Sequence, residues 1–446
     1  MRRVIEPITV WDGGSSVYEK AAVLVDGDRI SAVLTADERA SYDATSIEDR
    51  IDGEGKLALP GMINGHTHLY SSLARGMAIS DFAPSTFGQI LEQLWWRLDK
   101  ALDPVSVRAS ALVGAMEAAR CGVTTLIDHH ASPNAIPGSL DTMRGIVCGQ
   151  VGLRGVFSYE LSDRDGPERR DQGVDENVRF LAELPADDPL AATQFGLHAS
   201  FTLSDDSLAR VADRLPDGVG VHIHVAEGPE DEESCGREHG IRVIERLDRF
   251  GLLRKQSTLA HCLHLSEAEK DLLRERDSIV VHNPRSNMNN AVGLFDLDGY
   301  LARGTLTGLG TDGLGSNMLG ELFTAGILQK HSRHDPLAGS FDQQNALLFV
   351  NNPAIAERLL GVRMGRIEAG LPADIALIDY APPTPLVAEN VLGHLLFGVA
   401  VHNLRVSDLL VAGRPILRDG AFTEIDEAAE YAHAREAARR LWGRIE

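Results

Sequence analysis

The 446-residue sequence is poor in cysteine, in aromatics and in positive charge. Its four cysteines, Cys121, Cys148, Cys235 and Cys262, lie far apart with no C-x-x-C pair. That spacing excludes a disulfide framework and a structural zinc knuckle, and it reads as reduced thiols in a cytoplasmic protein. Long apolar runs are missing too. The stretch from Ala109 to Ile127 is broken by Glu117 and Arg120, so no membrane span is expected. The opening Met1-Arg2-Arg3-Val4-Ile5-Glu6-Pro7 has no apolar core of a signal peptide. Lys and Arg number 43 against 65 Asp and Glu, a formal charge of −22. The basic face that nucleic acid requires is therefore absent, and anionic membrane is an equally poor partner. No G-x-G-x-x-G turn follows an early strand, which counts against an open dinucleotide-binding sheet.

What remains is ordinary globular material, 43% hydrophobic and 24% charged, with ample length for a large core. The length allows three domains at about 150 residues each, yet α/β barrels often exceed ~250 residues as one unit. Both ends read as β. Ala21–Val25 and Arg29–Leu34 flank the turn Asp26-Gly27-Asp28, and Lys56–Leu59 follows. Near the other end, Ala373–Asp379 and the hairpin from Asp408 to Leu417 have the same character. The expected arrangement is a small composite β-sandwich domain from residues 1–58 and 370–425, with a C-terminal helix over 426–446.

Between these ends the pattern alternates. Apolar runs at Met62–Asn64, Val123–Asp128, Arg154–Tyr159, Gln194–His198, Val219–Val225, Thr258–Leu263, Ser278–His282 and Thr305–Thr311 read as strands. Helix-like stretches, among them Val105–Ala119, Glu176–Leu184, Ser207–Arg214 and Glu267–Arg276, separate them. Eight strands alternating with helices predict an α/β fold, a (β/α)₈ TIM-like barrel over residues 59–369.

Polar residues gather where these strands end, and a parallel barrel brings all such ends to one mouth. His66 and His68 share one face at i and i+2. His224 and Asp312 arrive from other strands. Three imidazoles and a carboxylate suit Zn²⁺, and also Fe²⁺ or Mn²⁺. Glu227, three residues after His224, can move protons beside an activated water, and His261 can hold that water. The competing reading of Glu227 is a solvated carboxylate next to the acidic run Glu230-Asp231-Glu232-Glu233. His222 reads as a group behind the ligands or a substrate contact. His198 is a substrate-contact candidate set against a buried structural histidine, with His129 and His130 as weaker candidates of the same kind. Trp95 is a candidate for stacking on a planar substrate, as is Trp96, against plain core packing. His264 and His282 read as structural.

Five ordered segments resemble the amidohydrolase superfamily: Pro60-Gly61-Met62-Ile63-Asn64-Gly65-His66-Thr67-His68, His222-Ile223-His224-Val225-Ala226-Glu227, Ala260-His261-Cys262, His282-Asn283-Pro284-Arg285-Ser286-Asn287 and Gly310-Thr311-Asp312-Gly313. Gly370-Leu371-Pro372-Ala373-Asp374-Ile375 resembles that superfamily's return to its β domain. The resemblance is nearest to the mononuclear deaminase and chlorohydrolase branch. Leu94–Asp99, Asp128–Asn134 and Gly393–Gly398 look like aminohydrolases of the SsnA type. The resemblance implies metal ligation by His66, His68, His224 and Asp312. It implies proton shuttling by Glu227 with a share for Asp312, water polarisation by His261, and substrate binding by His198 and Glu227. Paired-metal barrels of this superfamily often carry a carboxylated lysine on the third or fourth strand. The six lysines here (20, 56, 100, 255, 270 and 330) all lie elsewhere, so one divalent ion is expected, zinc before iron or manganese.

The expected activity is that of a metal-dependent hydrolase of non-peptide C–N bonds. It would deaminate an aminated, purine-like heterocycle with water activated on the metal. The same site could instead expel chloride or open a cyclic amide or imine, and a non-catalytic metal-binding barrel is the rival from another class. Family analogy implies a homodimer or higher homo-oligomer. The loops Ser71–Trp96 and Ser132–Leu140 would choose among guanine, other oxidised purines, pterins and triazines.

Overall fold

The computed structural model describes residues 1–313, 315–402 and 405–445. Residue 446, the end of the expected terminal helix, lies outside them. The chain opens with β1 (Arg2–Trp11), β2 (Val17–Asp26), β3 (Arg29–Leu34), β4 (Asp49–Ile51) and β5 (Lys56–Pro60). Nine parallel segments follow: β6 (Met62–Thr67), β7 (Val123–His130), β8 (Arg154–Tyr159), β9 (Ala191–Thr193), β10 (Phe195–Ala199), β11 (Val221–Val225), β12 (Thr258–His261), β13 (Ile279–His282) and β14 (Thr307–Leu309). The end of the chain adds β15 (Ile375–Asp379), β16 (Val406–Val411), β17 (Arg414–Arg418) and β18 (Ala421–Phe422).

The two ends of the chain meet in one hydrogen-bonded sheet of nine strands, ordered β18-β17-β16-β15-β5-β1-β2-β3 with β4 beside β1. Ile5, Val10, Val23, Ala58, Ile375, Leu377 and Leu410 form its dry core. The middle of the chain makes two parallel sheets, β6-β7-β8-β9 and β10-β11-β12-β13-β14. Parallel bridges Leu161–Leu197 and Thr67–Asp312 link them at both edges, which closes the ring. These strands are buried on both faces, so polar and apolar residues alike are packed inside and none alternates toward solvent.

The closing seam is fixed by side-chain amides. Asn64 Nδ2 donates to Thr311 Oγ1 at 2.7 Å, and the Thr311 amide returns to Asn64 Oδ1 at 3.1 Å. Asn352, fully buried, donates to the carbonyls of Ile63 (2.7 Å) and Leu309 (2.9 Å) and accepts from the Leu309 amide (2.8 Å). At Gly310 a Cβ would lie 2.8 Å from the His66 backbone and 2.5 Å from Asn283 Oδ1, so only glycine permits the approach.

Several boundaries differ from the sequence expectation. The fourth run, expected at Gln194–His198, forms β10, and a short β9 that was not expected precedes it; between them Gln194 turns its side chain to the Gln256 carbonyl and Thr258 Oγ1. The sixth strand stops at His261, because His261 and Cys262 adopt positive φ (73° and 53°). The helix expected from Glu176 begins at Pro167, after Gly166 at φ 85°. Its polar first half hid the start, although proline at the first turn is a start signal.

A helical segment, Phe87–Ala101, leaves the loop after β6 and lies over the mouth, with a wide π-helical turn at Leu91–Trp95. The C-terminal helix Glu427–Trp442 packs on helix Pro104–Arg120. Trp442 Nε1 donates to the Leu73 carbonyl (2.8 Å), Arg444 Nε to the Ala101 carbonyl (2.7 Å), and Arg97 to the Ile445 carbonyl (2.7 Å). The chain end thus braces the cover over the site.

One ion pair joins sheet to barrel. Arg154 on β8 meets Asp374 at 2.8 and 3.2 Å, both side chains 3% exposed. Removing one partner from such a pair strands the other charge. Arg154→Met is expected to lower the unfolding free energy by about 3–5 kcal/mol, read as a shifted denaturant midpoint at unchanged slope. Adding Asp374→Leu should recover part of that loss. A single variant as stable as the wild type would show that the pair adds nothing.

Candidate active site

Four of the predicted ligands converge at the mouth. His68 Nε2 lies 3.0 Å from His224 Nε2 and 2.9 Å from Asp312 Oδ1, and His66 Nε2 is 3.3 Å from the same oxygen. One ligating atom from each of His66, His224, His261 and Asp312 falls within 4.8 Å of the others, as does one from each of His66, His68, His129 and His224. The turns that present them are strained. Ala226, His261, Cys262 and Asp312 hold φ between 44° and 73°, each at the end of a barrel strand.

The outer nitrogens explain the inner ones. His68 Nδ1 lies 2.6 Å from the His129 carbonyl and His224 Nδ1 lies 3.0 Å from the His198 carbonyl. A carbonyl only accepts, so each Nδ1 carries a hydrogen and each Nε2 faces inward, free to hold a cation, whether a metal ion or a proton. Two lone pairs 3.0 Å apart, beside a carboxylate oxygen, require a cation between them. His66 continues the pattern, with Nδ1 bonded to His222 Nε2 at 2.8 Å and Nε2 buried without a hydrogen-bond partner. The residues therefore fit a divalent ion of the zinc, iron or manganese type, each imidazole being aimed by a partner on its far side.

Titration follows this packing. Burial holds His66 down to about 4. Burial acts the same way on His68, but the hydrogen bond and charge of Asp312, with the charge of Glu160, carry it up to about 9. Burial works against the Asp312 anion, yet the His66 and His68 imidazoles beside it hold it well below the usual carboxylate range. Glu227 is pushed the other way, chiefly by burial. Its Oε2 sits 3.5 Å from His261 Nε2, and Oε1 accepts from Asn290 Nδ2 at 3.0 Å.

The cavity above these groups spans about 760 Å³ of non-atom space, the open solvent at its mouth included. His68, His198, His224, Glu227 and Asp312 line it, with Phe87, Leu91, Trp95 and Trp96 from the covering segment. So His198, Trp95 and Trp96 reach the cavity. His129 does not, because it is fully buried, stacked at 4.4 Å on His222, with both ring nitrogens unpartnered. His130 bonds Ser132 within the barrel (2.9 Å), His264 the Val292 carbonyl (2.7 Å), and His282 stacks on Phe295 (4.3 Å).

Three residues at the site carry no role in the sequence reading. Ser286 donates to Asp312 Oδ2. Asn287 Oδ1 accepts from His261 Nδ1 at 2.7 Å, which turns His261 Nε2 inward. Both stand in the His282–Asn287 motif, and their recurrence there was the available signal. Glu160, at the end of β8, lines the cavity and is buried, and no spacing in the sequence pointed to it.

Comparison with known proteins agrees with this geometry. The amidohydrolase family model matches residues 57–414. The 5'-deoxyadenosine deaminase of Methanopyrus kandleri is 32% identical over 433 residues, covering 95% of this chain and 96% of that one. The 5-methylthioadenosine/S-adenosylhomocysteine deaminase of Nitratidesulfovibrio vulgaris is 31% identical over 445 residues, 98% and 95% of the two chains. Among solved structures, an adenosine deaminase from Xanthomonas campestris with bound zinc superposes with a TM-score of 0.83 at 27% identity, covering 98% of each chain. The expectations of an α/β barrel and of an enzyme of the aminohydrolase class are borne out. No helix among the described residues is long and apolar enough to cross a membrane. By motif, architecture and match over most of its length, this chain belongs to the amidohydrolase family.

Proposed function

We propose that the protein is a metal-dependent hydrolase that deaminates a purine-like heterocycle, using one zinc ion held by His66, His68, His224 and Asp312. The catalytic unit is the barrel of residues 59–369, carried by the composite β unit of residues 1–58 and 370–425 and braced by the terminal helix. The observation that carries the reading is the pair of facing Nε2 lone pairs with Asp312 at their side. Similarity to deaminases of adenosine derivatives over nearly the whole chain supports the reaction class.

When bound, the ion supplies a Lewis acid that brings the pKa of its water from about 15.7 to about 7. The protein's own groups do the rest. His261, fixed by Asn287, holds the attacking water by Nε2 against the ring carbon. Glu227 takes a proton from that water at Oε2 and hands it to the ring nitrogen as oxygen joins the carbon. The remaining hydroxyl proton passes through Asp312 and Glu227 to the amino group, which leaves as ammonia while the ring carbonyl forms. The raised Glu227 suits a group that both takes and gives protons, whereas the depressed Asp312 hands on at once any proton it receives and rests as an anion. Trp95, Trp96 and Phe87 cover the ring and keep bulk water out.

Three outcomes follow from these assignments. Glu227→Gln should keep its metal and lose ammonia release by at least ~100-fold, measured across a panel of aminated heterocycles; turnover near that of the wild type would remove the shuttle role. Chelation should abolish release and zinc should restore it at one ion per chain, by elemental analysis. Restoration that needs two ions would reject the single-ion site. Asn287→Ala leaves His261 free to rotate, so turnover should fall about 10–100-fold with metal content unchanged.

A further inference from the structure

Asp312, His261 and Glu227 come from three different strand ends, yet one short segment bonds all of them. Ser286 and Asn287, on the helix Pro284–Asn289, hold Asp312 and His261. Asn290, which caps that helix, donates to Glu227 Oε1 at 3.0 Å. The segment is fixed at both ends. Buried Glu321 accepts from the Arg285 amide at 3.2 Å, and just after Asn290 the chain turns sharply at Ala291, φ 53°. Asn290 is itself 8% exposed and borders the cavity, and the chemistry above gives it no role.

The orientation of the Asn290 amide follows from its neighbours. A carboxylate that ligates a cation carries no hydrogen, so Ser286 gives its single hydrogen to Asp312 Oδ2. Ser286 Oγ is then left to accept, and the atom facing it, at a long 3.4 Å, is Asn290 Nδ2. At the other end of the amide, Asn289 Nδ2 donates to Asn290 Oδ1 at 3.3 Å. Turned over, the amide would set its oxygen against Ser286 Oγ with no hydrogen between them. The Ser286 contact settles this whatever proton Glu227 carries, so the group facing Glu227 Oε1 is an N–H. A donor to a buried carboxylate is among the stronger hydrogen bonds, and it stops the carboxyl group from turning about its last bond and exchanging its two oxygens.

We propose that Asn290 is a positioning residue that decides which oxygen of Glu227 works: its N–H holds Oε1 as an acceptor and leaves Oε2, 3.5 Å from His261 Nε2, to carry the travelling proton. The proposal rests on the deaminase reading for the shuttle role of Glu227. It adds a hydrogen-bonded line from Asp312 through Ser286 and Asn290 to Glu227, which ties the two proton-handling carboxylates together from outside the metal-ligand cluster. Asn287, one residue along, turns His261 by the same helix. The helix Pro284–Asn289 and its cap therefore set the water-holding imidazole and the working oxygen of the shuttle as one rigid unit.

Kinetics and crystallography test this together. Asn290→Leu keeps the bulk and removes the donor. Asn290→Asp keeps the outline, removes the donor and serves where the leucine variant does not fold. Each should lower kcat for ammonia release about 10- to 30-fold, with KM changed less than about 3-fold and metal content unchanged. Met288→Ala, on the same helix but 50% exposed, should keep kcat and KM within about 3-fold of the wild type. In crystals of the zinc-loaded Asn290 variant, the Glu227 carboxyl group should turn so that Oε2 no longer faces His261 Nε2. Undiminished kcat overturns the proposal, and so does a rise in KM at constant kcat, which would make Asn290 a substrate contact. An equal loss in Met288→Ala would trace the effect to the helix as a whole and overturn it too. So would a Glu227 side chain that stays in place. If the wild type releases ammonia from no aminated heterocycle, the deaminase reading fails, and the crystals still decide whether Asn290 holds Glu227.

Discussion

Every distance in the active site depends on the pairing of β14 with β6. Thr67 and Asp312 are 245 residues apart in sequence, and their bridge brings the carboxylate of the cluster to His66 on β6 and His68 just after it. That junction is held by buried amide groups rather than by side-chain bulk. Asn64 and Asn352 between them bond the backbone or hydroxyl groups of Ile63, Leu309 and Thr311. Each is an obligatory partner, because a buried backbone group left unpaired costs about as much as a lost hydrogen bond. The seam therefore fixes register, and register fixes whether residues 66 and 68 point at Asp312 or away from it.

Given that register, electrostatics does the sorting. The imidazoles turn Nε2 toward one point because their outer nitrogens are committed to carbonyls and to His222. The carboxylates are pushed apart by their surroundings. Asp312 sits among imidazoles and a serine hydroxyl and stays ionised. Glu227 has one amide donor and a buried setting, and its proton affinity rises. The same functional group thus serves two purposes, decided by neighbours and not by residue type. The left-handed turns at Ala226, His261 and Asp312 belong to this arrangement. They re-aim chain ends that would otherwise continue as strands.

Much of this was legible in the sequence, and the reason is periodicity. Alternation of apolar runs with helical stretches located the barrel, and clustering of histidines at strand ends located its mouth. His66, His68, His224 and Asp312 meet because strand ends must meet in a parallel barrel. What escaped the sequence has physical causes as well. β1 is ten residues long, yet Glu6 and Pro7 break its pattern, so a central strand of the terminal sheet went unread. β9 went unread, and Gln194, which stands between it and β10, turns its side chain to partners across the sheet that no local propensity encodes. His129 reads as a candidate contact from its place beside His130, but alternate residues of a strand face opposite ways, and packing against His222 decided which way it turned. Ser286, Asn287 and Glu160 act through contacts made only in three dimensions.

The chain's overall charge of −22 takes on a local meaning in the cavity. Glu160, Asp99, Glu227, Glu230, Asp231 and Asp312 border it, and Arg164 is drawn against two of them. A low-dielectric wall strengthens such a field compared with the surface. The covering segment is apolar where it faces this wall, through Phe87, Leu91, Trp95 and Trp96. It therefore offers area to a planar ring and no counter-charge to an anionic tail. A cover tied to the chain end at Leu73, Ala101 and Arg97 holds these apolar side chains over the carboxylates and imidazoles beneath it.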